Sequence, residues 1–314
     1  MPPPAHRARV PSRALHAAVL ATLVLPAPGP AQEIMPEPAA PTPAELQDRP
    51  VALVTGSTGG LGREVALALG ERGWHVIVHG RDRARGLEVV REVRAAGGSA
   101  AFYRADFASL EEVGRLGEAI LRDYVRLDVL VNNAGIWLAG DDTRRLSADG
   151  HELTLAVNYL AAYRLTDLLL PLLRASAPSR IVHVASGAQA PIDFDDPMLE
   201  RGYSGSRAYG QSKLAQVMHA FDLARALEGT GVRVNALHPA TLMDTDMVRD
   251  AGVRPRSTVE EGRDAVLHLV LDPDVGSGAY HDGTRPARAH AQAYDEEARA
   301  RLRVLSEALT GGGR

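Results

Sequence analysis

The chain has 314 residues, 45% of them hydrophobic, which is apolar material enough for one sizeable α/β core. A net charge of −4 leaves no electrostatic case for binding nucleic acid or an anionic membrane surface. The absence of cysteine excludes disulfides, thiolate nucleophiles and Cys-ligated zinc together, and the eleven histidines show no H-E-x-x-H or comparable ligand spacing, so no metal site is expected.

Residues 1–48 are rich in Pro and Ala. Arg7, Arg9 and Arg13 precede an apolar run at 14–25, and Gly29-Pro30-Ala31 offers a small-residue cleavage site. That is the layout of a secretory signal peptide, with a run too short to span a bilayer comfortably. Met35 is equally available as the start of a cytosolic chain. The segment is therefore read as a signal-like or disordered extension outside the fold. The chain is expected to be cytoplasmic, with export or membrane anchoring through residues 1–31 as the alternative. One domain is expected over 49–309, followed by a flexible tail at 310–314.

From residue 51 short apolar runs alternate with amphipathic stretches, the pattern of βαβ units on a parallel sheet. Strands are predicted at 51–55, 74–79, 101–104, 127–132, 180–185, 232–237 and 278–281. Helices are predicted at 61–72, 83–96, 109–124, 147–174, 206–228, 258–270 and 289–308. The first strand ends at Thr55 and runs into Gly56-Ser57-Thr58-Gly59-Gly60-Leu61-Gly62 before a helix. Glycines at such a turn let the backbone approach a pyrophosphate held at the helix N-terminus. Where the second strand of a dinucleotide-binding fold carries an acid for the NAD ribose, this chain has His79 and Gly80, then Arg81. An arginine there suits a 2′-phosphate, so NADP is favoured over NAD. Arg63 is a second candidate for charge nearby. Asp106 follows the third strand and reads either as a cofactor contact or as a helix N-cap.

Of 35 Lys and Arg residues only one, Lys213, is lysine. Where arginine supplies charge everywhere else, a lone lysine marks a place that needs a compact ammonium. Tyr209 lies four residues earlier on the same helix face. A free phenol titrates near ~10, and a close ammonium is expected to pull it down by roughly one to three pH units, toward the range of a useful acid/base.

Thr55–Gly62, Asn132-Asn133-Ala134-Gly135, Asn158, Ser186, Tyr209-x-x-x-Lys213 and Asn235-Ala-Leu-His-Pro239 recur in the order found in the short-chain dehydrogenases/reductases. The chain resembles that family across 50–309. The resemblance implies a single-domain, Rossmann-like, doubly wound parallel sheet of about seven strands. It also implies a nicotinamide-dependent oxidoreductase that interconverts a carbonyl and an alcohol. Tyr209 would be the general acid/base, Ser186 would hold the substrate oxygen, and Lys213 would hold the nicotinamide ribose and lower the tyrosine's pKa. Asn158 would anchor a relay water to Lys213. Thr55, Gly56, Ser57, Gly60, Leu61, Gly62, Arg81, Asp106, Asn133, Ala134, Gly135, Pro239 and Thr245 would bind the cofactor. Thr241 competes with Thr245 for the nicotinamide contact, and Ala240 stands where glycine is usual.

Twenty-three positions separate Ser186 from Tyr209. With His79-Gly-Arg81, that spacing resembles the retinol-dehydrogenase and protochlorophyllide-reductase-like branch. Trp137 is a candidate pocket wall, and 241–262 a mobile lid. Asp193, Asp195 and Asp196 fit a solvated loop as well as a reader of cationic substrates. Helices 147–174 and 206–228 form a dimer interface in many members, which leaves a homo-oligomer open. Two competing functions remain: a non-catalytic NADP-binding regulatory protein, and a sugar-nucleotide epimerase or dehydratase, which shares the Tyr/Lys pair.

Overall fold

The computed structural model describes residues 1, 34–42, 44–46 and 49–311. Strands β1 (Val51–Val54), β2 (His75–Gly80), β3 (Ser99–Arg104), β4 (Val129–Asn132), β5 (Ser179–Val184), β6 (Val232–His238), β7 (Tyr280–Asp282) and β8 (Arg285–Ala287) form one sheet in the order β3-β2-β1-β4-β5-β6-β7-β8. All neighbours pair in parallel except β7 and β8. The eighth strand goes beyond the seven expected. It is three residues long, exposed at Arg285 and Pro286, and has Pro286 at its centre, features tolerated only at a sheet edge and invisible to a periodicity reading.

Helices cover both faces, so the central strands are buried on both sides and read as continuous apolar runs. In β1, Val51 and Leu53 face one core, shared with α3 (Leu110–Asp123), α5 (Ala161–Ala175), α6 (Gly205–Ala226) and α9 (Glu296–Thr310). Ala52 and Val54 face the other, shared with α1 (Gly60–Glu71), α2 (Arg83–Ala95) and α8 (Val259–Leu271). β1 lies between β2 and β4, so successive crossovers leave it in opposite directions. The crevice beyond the carboxyl ends of β1 and β4 is where ligands bind in such sheets.

Side chains cap most helix starts: Asp82 caps α2, Ser109 α3, Ser204 α6, Thr258 α8 and Asp295 α9. Gly59 begins α1 without a side-chain cap. The first amides of α1 are thus left for a ligand. The long helix predicted at 147–174 instead starts with the turn α4 (Leu153–Leu155), passes through a π-helical segment (Ala156–Leu160) and continues as α5. The π turn contains Asn158.

Part of the segment assigned by sequence to the N-terminal extension packs on the domain. Glu37 bridges antiparallel to Phe102 on edge strand β3 and pairs with Arg83, and Leu46 is buried in the core. The signal-peptide and anchor readings of residues 1–31 lie outside the described residues. Among the described residues no helix is long and apolar enough to cross a membrane.

Candidate active site

A cleft of about 590 Å³ opens over the carboxyl ends of the central strands. At one end the backbone of the β1–α1 turn approaches closely. Gly56 has φ +65, and a Cβ there would lie 2.8 Å from Ala134 Cα. A Cβ on Gly62 would lie 2.5 Å from both Asn133 Nδ2 and the Gly56 carbonyl oxygen. These glycines leave room that any side chain would fill.

The turn is stitched from below. Thr55 Oγ1 accepts from the backbone amides of Asn133 and Ala134, each at 3.0 Å, and Asn133 Nδ2 donates to the Thr55 carbonyl at 2.8 Å. Ser57 Oγ accepts from the His79 amide at 3.0 Å. Thr55 and Ser57 therefore shape the loop from the buried side and do not line the cleft; Gly56, Gly60, Leu61, Gly62, Asn133, Ala134 and Gly135 do. His79 Nδ1 accepts from the Gly56 amide at 3.2 Å, which requires a neutral ring, and burial pushes its pKa down to about 4. The ring stacks on Phe107 with centroids 4.4 Å apart.

Arg81 lines this end of the cleft with its side chain largely in solvent, 3.9 Å from Asp106. Asp106 also lines it and accepts from the Ala108 amide at 3.0 Å, whereas the cap of α3 is Ser109. The N-cap reading of Asp106 is thereby replaced. Arg63 turns away to Glu64 and Glu92 and adds no charge to the cleft. Thr58, which sequence reasoning missed, stands beside Gly80 and Arg81, where a Cβ on Gly80 would lie 2.5 Å from its methyl.

At the other end Ser186, Tyr209 and Lys213 line the cleft together. Burial raises the Tyr209 phenol, and a hydrogen bond with the Ser186 side chain partly opposes it. The expectation that Lys213 pulls the phenol down is thus not met in this arrangement. Burial lowers Lys213 itself to about 7, and its ammonium is directed to the Val184 carbonyl at 2.8 Å and Gln216 Oε1 at 3.1 Å. The Nζ lies 5.6 Å from the Tyr209 ring centroid.

Asn158 lies beneath the cleft. Its Oδ1 accepts from the Ile136 amide at 2.7 Å, and its Nδ2 donates to the Ile136 carbonyl at 3.0 Å and to Ser212 Oγ at 2.9 Å. Its backbone carbonyl accepts from Gln216 Nε2 at 2.8 Å, and Gln216 Oε1 in turn accepts from Lys213 Nζ at 3.1 Å, so Gln216 bridges Asn158 and Lys213. A side chain that carries no motif signature occupies the bridge.

Trp137 walls the substrate end, its ring centroid 5.7 Å from that of Tyr209. Ile136, Leu242, Met247 and Val248 add apolar surface. Pro239 and Thr245 line the cleft from the segment after β6. The Thr245 methyl lies 3.3 Å from where a Cβ on Gly60 would be, and Thr241 Oγ1 bonds His238 Nε2 at 2.9 Å. Helix α7 (Asp246–Asp250) follows, and its Asp246 reaches Arg85 of α2 at 3.3 Å. Asp193, Asp195 and Asp196 do not line the cleft. Asp193 pairs with Arg207, and Asp196 accepts from the amides of Glu200 and Arg201, so these acids build the loop before α6.

The family described as short chain dehydrogenase matches residues 50–254. The chain belongs to the short-chain dehydrogenase/reductase family. The enzyme is 36% identical to retinol dehydrogenase 14 of Mus musculus over 288 residues, covering 82% of this chain and 85% of that protein. It is 36% identical to the polyprenol dehydrogenase of Mus musculus over 286 residues, covering 84% of each. Those similarities put it in the retinol-dehydrogenase-like branch. A solved structure of an uncharacterised protein from Mycobacterium paratuberculosis matches with TM-score 0.69 and 29% identity, over 84% of this chain and 96% of that one. As a member of this family the enzyme is a nicotinamide-dependent oxidoreductase acting on small molecules.

Proposed function

We propose that this enzyme interconverts an apolar aldehyde or ketone and its alcohol with NADP, using Tyr209 as the general acid/base. One observation carries the reading: Tyr209, Ser186 and Lys213 meet at one end of a cleft whose other end holds an uncapped helix start and Arg81. The glycine cradle, the free amides of α1 and the neutral His79 fit a dinucleotide pyrophosphate. Arg81 and the Thr58 hydroxyl supply donors for a 2′-phosphate; the last residue of β2, where an acid would hold two ribose hydroxyls, is Gly80, and Asp82 two residues on caps α2 and does not line the cleft.

When bound, the reduced nicotinamide supplies a hydride to the carbonyl carbon. Tyr209 Oη then transfers its proton to the carbonyl oxygen as that oxygen gains charge, and Ser186 Oγ donates a hydrogen bond to the same oxygen. The raised pKa of Tyr209 keeps it protonated at neutral pH, the form that reduction needs. Lys213 would hold the hydroxyls of the nicotinamide ribose, the role the family resemblance implies for it. In oxidation each transfer runs backward. Thr55, Ser57 and Asn158 serve as positioning residues. Trp137, Leu242, Met247 and Val248 favour a neutral apolar substrate, a class to which retinal and short prenals belong.

Fluorescence titration of the full chain with NADPH and NADH, wild type against Arg81→Asp, tests the cofactor assignment. Tighter NADPH binding that is lost or reversed in Arg81→Asp is expected. Equal affinity for the two cofactors in the wild type overturns the role of Arg81 and leaves the oxidoreductase reading standing.

A further inference from the structure

Lys213 is a buried ammonium on helix α6, and among the described residues it forms no ion pair with a carboxylate. Its surroundings are nearly free of charge. Tyr209 faces it from α6 and His183 from β5, the latter kept neutral by burial, by the neighbouring His219, itself pushed down to about 4 by burial, and by Lys213 itself. The π-helical segment contributes the neutral Asn158 and the loop after β4 contributes Gly135, where a Cβ would lie 3.5 Å from Nζ. What Lys213 has instead of a counter-ion is two oxygen acceptors, the Val184 carbonyl and Gln216 Oε1.

The second acceptor is there by a specific arrangement. Gln216 is fully buried, three residues after Lys213 on the same helix face. An amide end can present either oxygen or nitrogen, and its hydrogen-bond network decides which. The Asn158 carbonyl accepts from Gln216 Nε2 at 2.8 Å, and only the opposite end, the oxygen, is then left for the lysine. The π turn that holds Asn158 thus orients the Gln216 amide, and the amide holds the ammonium.

We propose that Gln216 is a positioning residue of this enzyme, a fixed amide bracket between Asn158 and Lys213 that aims the catalytic lysine and favours its charged form against burial. The inference deepens the catalytic reading above and rests on it for its meaning in turnover. Its geometry and its test stand apart from that reading. Hydrogen bonds from an ammonium to oxygen acceptors stabilise the charged form, and burial opposes it. Removing Gln216 Oε1 leaves the burial and takes away one of the two acceptors. A carboxylate in the same place supplies a full negative charge.

The lone lysine makes the proposal directly measurable. Full-length protein carrying 13C-labelled lysine has a single lysine side-chain resonance, and its pH titration reports Lys213 alone. Wild type is compared with Gln216→Leu, Gln216→Glu and Gln216→Asn, and NADPH titration serves as the check on folding. In Gln216→Leu the midpoint is expected to fall by roughly one to two pH units, the worth of one hydrogen bond to a charged group. In Gln216→Glu it is expected to rise by at least as much. Gln216→Asn, with a shorter reach, should fall between wild type and Gln216→Leu. Midpoints unchanged in both Leu and Glu variants, or moving in the same direction, overturn the proposal. If Gln216→Leu fails to fold, Gln216→Glu and Gln216→Asn still decide the matter through opposite shifts. Retention of full activity by Tyr209→Phe would sink the catalytic reading and leave these midpoints as they are.

Discussion

Lys213→Met is expected to gain on the wild type in folding stability as the pH falls from about 10.5 to about 7, because the folded protein resists a charge there that the unfolded chain accepts. Burial lowers Lys213 from 10.5 to about 7. At about 1.36 kcal/mol per pH unit, the charged form costs the folded state about 5 kcal/mol relative to the neutral one. Between the two values the unfolded lysine is protonated and the folded one is not. Unfolding therefore takes up a proton, and stability rises with pH across that window. Below about 7 both states are charged and the full penalty applies; above about 10.5 both are neutral and it vanishes. Methionine has similar length and no such dependence. It also leaves the Val184 carbonyl and Gln216 Oε1 without their donor, at about 1–3 kcal/mol each, which offsets the absolute gain but is constant with pH. Urea unfolding of both proteins at several pH values between 6 and 10 measures the difference. A difference that stays constant across that range would refute the burial argument.

Two further substitutions probe the two ends of the cleft. Gly62→Ala would put a Cβ 2.5 Å from the Gly56 carbonyl oxygen, a backbone atom that cannot swing away. It should cost about 1–3 kcal/mol in thermal unfolding and weaken NADPH binding; unchanged values for both would contradict the cradle. Trp137→Ala should raise KM for an apolar aldehyde such as decanal by about tenfold with a smaller effect on kcat, as lost apolar contact does. A selective loss of kcat would instead assign the indole a part in the chemistry.

Much of the site was legible because its residues sit at strand ends, where composition and order are both informative. Thr55 to Gly62 was readable from glycines directly after an apolar run, and Tyr209 with Lys213 from helical spacing and the absence of any other lysine. What escaped depends on partners distant in sequence. Arg63 looked available for a phosphate until Glu92, on another helix, claimed it. Gln216 carries no signature, since its meaning comes from the carbonyl of Asn158 on a π turn that no periodicity announces. Thr58 was one glycine-turn residue among several, and only its approach to Gly80 sets it beside Arg81. The packing of Glu37 and Leu46 was hidden by a Pro/Ala-rich composition that reads as an extension. The shift of Tyr209 was misjudged because a spacing of four residues fixes a shared helix face and not the direction in which an ammonium points.

The central claim is tested most directly by NADPH oxidation with all-trans-retinal or decanal as acceptor, comparing the full-length wild type with Tyr209→Phe while NADPH affinity is measured on both. The expected result is aldehyde reduction by the wild type, and a variant that binds NADPH equally well yet turns over roughly a hundredfold or more slowly. A Tyr209→Phe enzyme that keeps its rate, or a wild type that binds NADPH and reduces neither aldehyde, would contradict it.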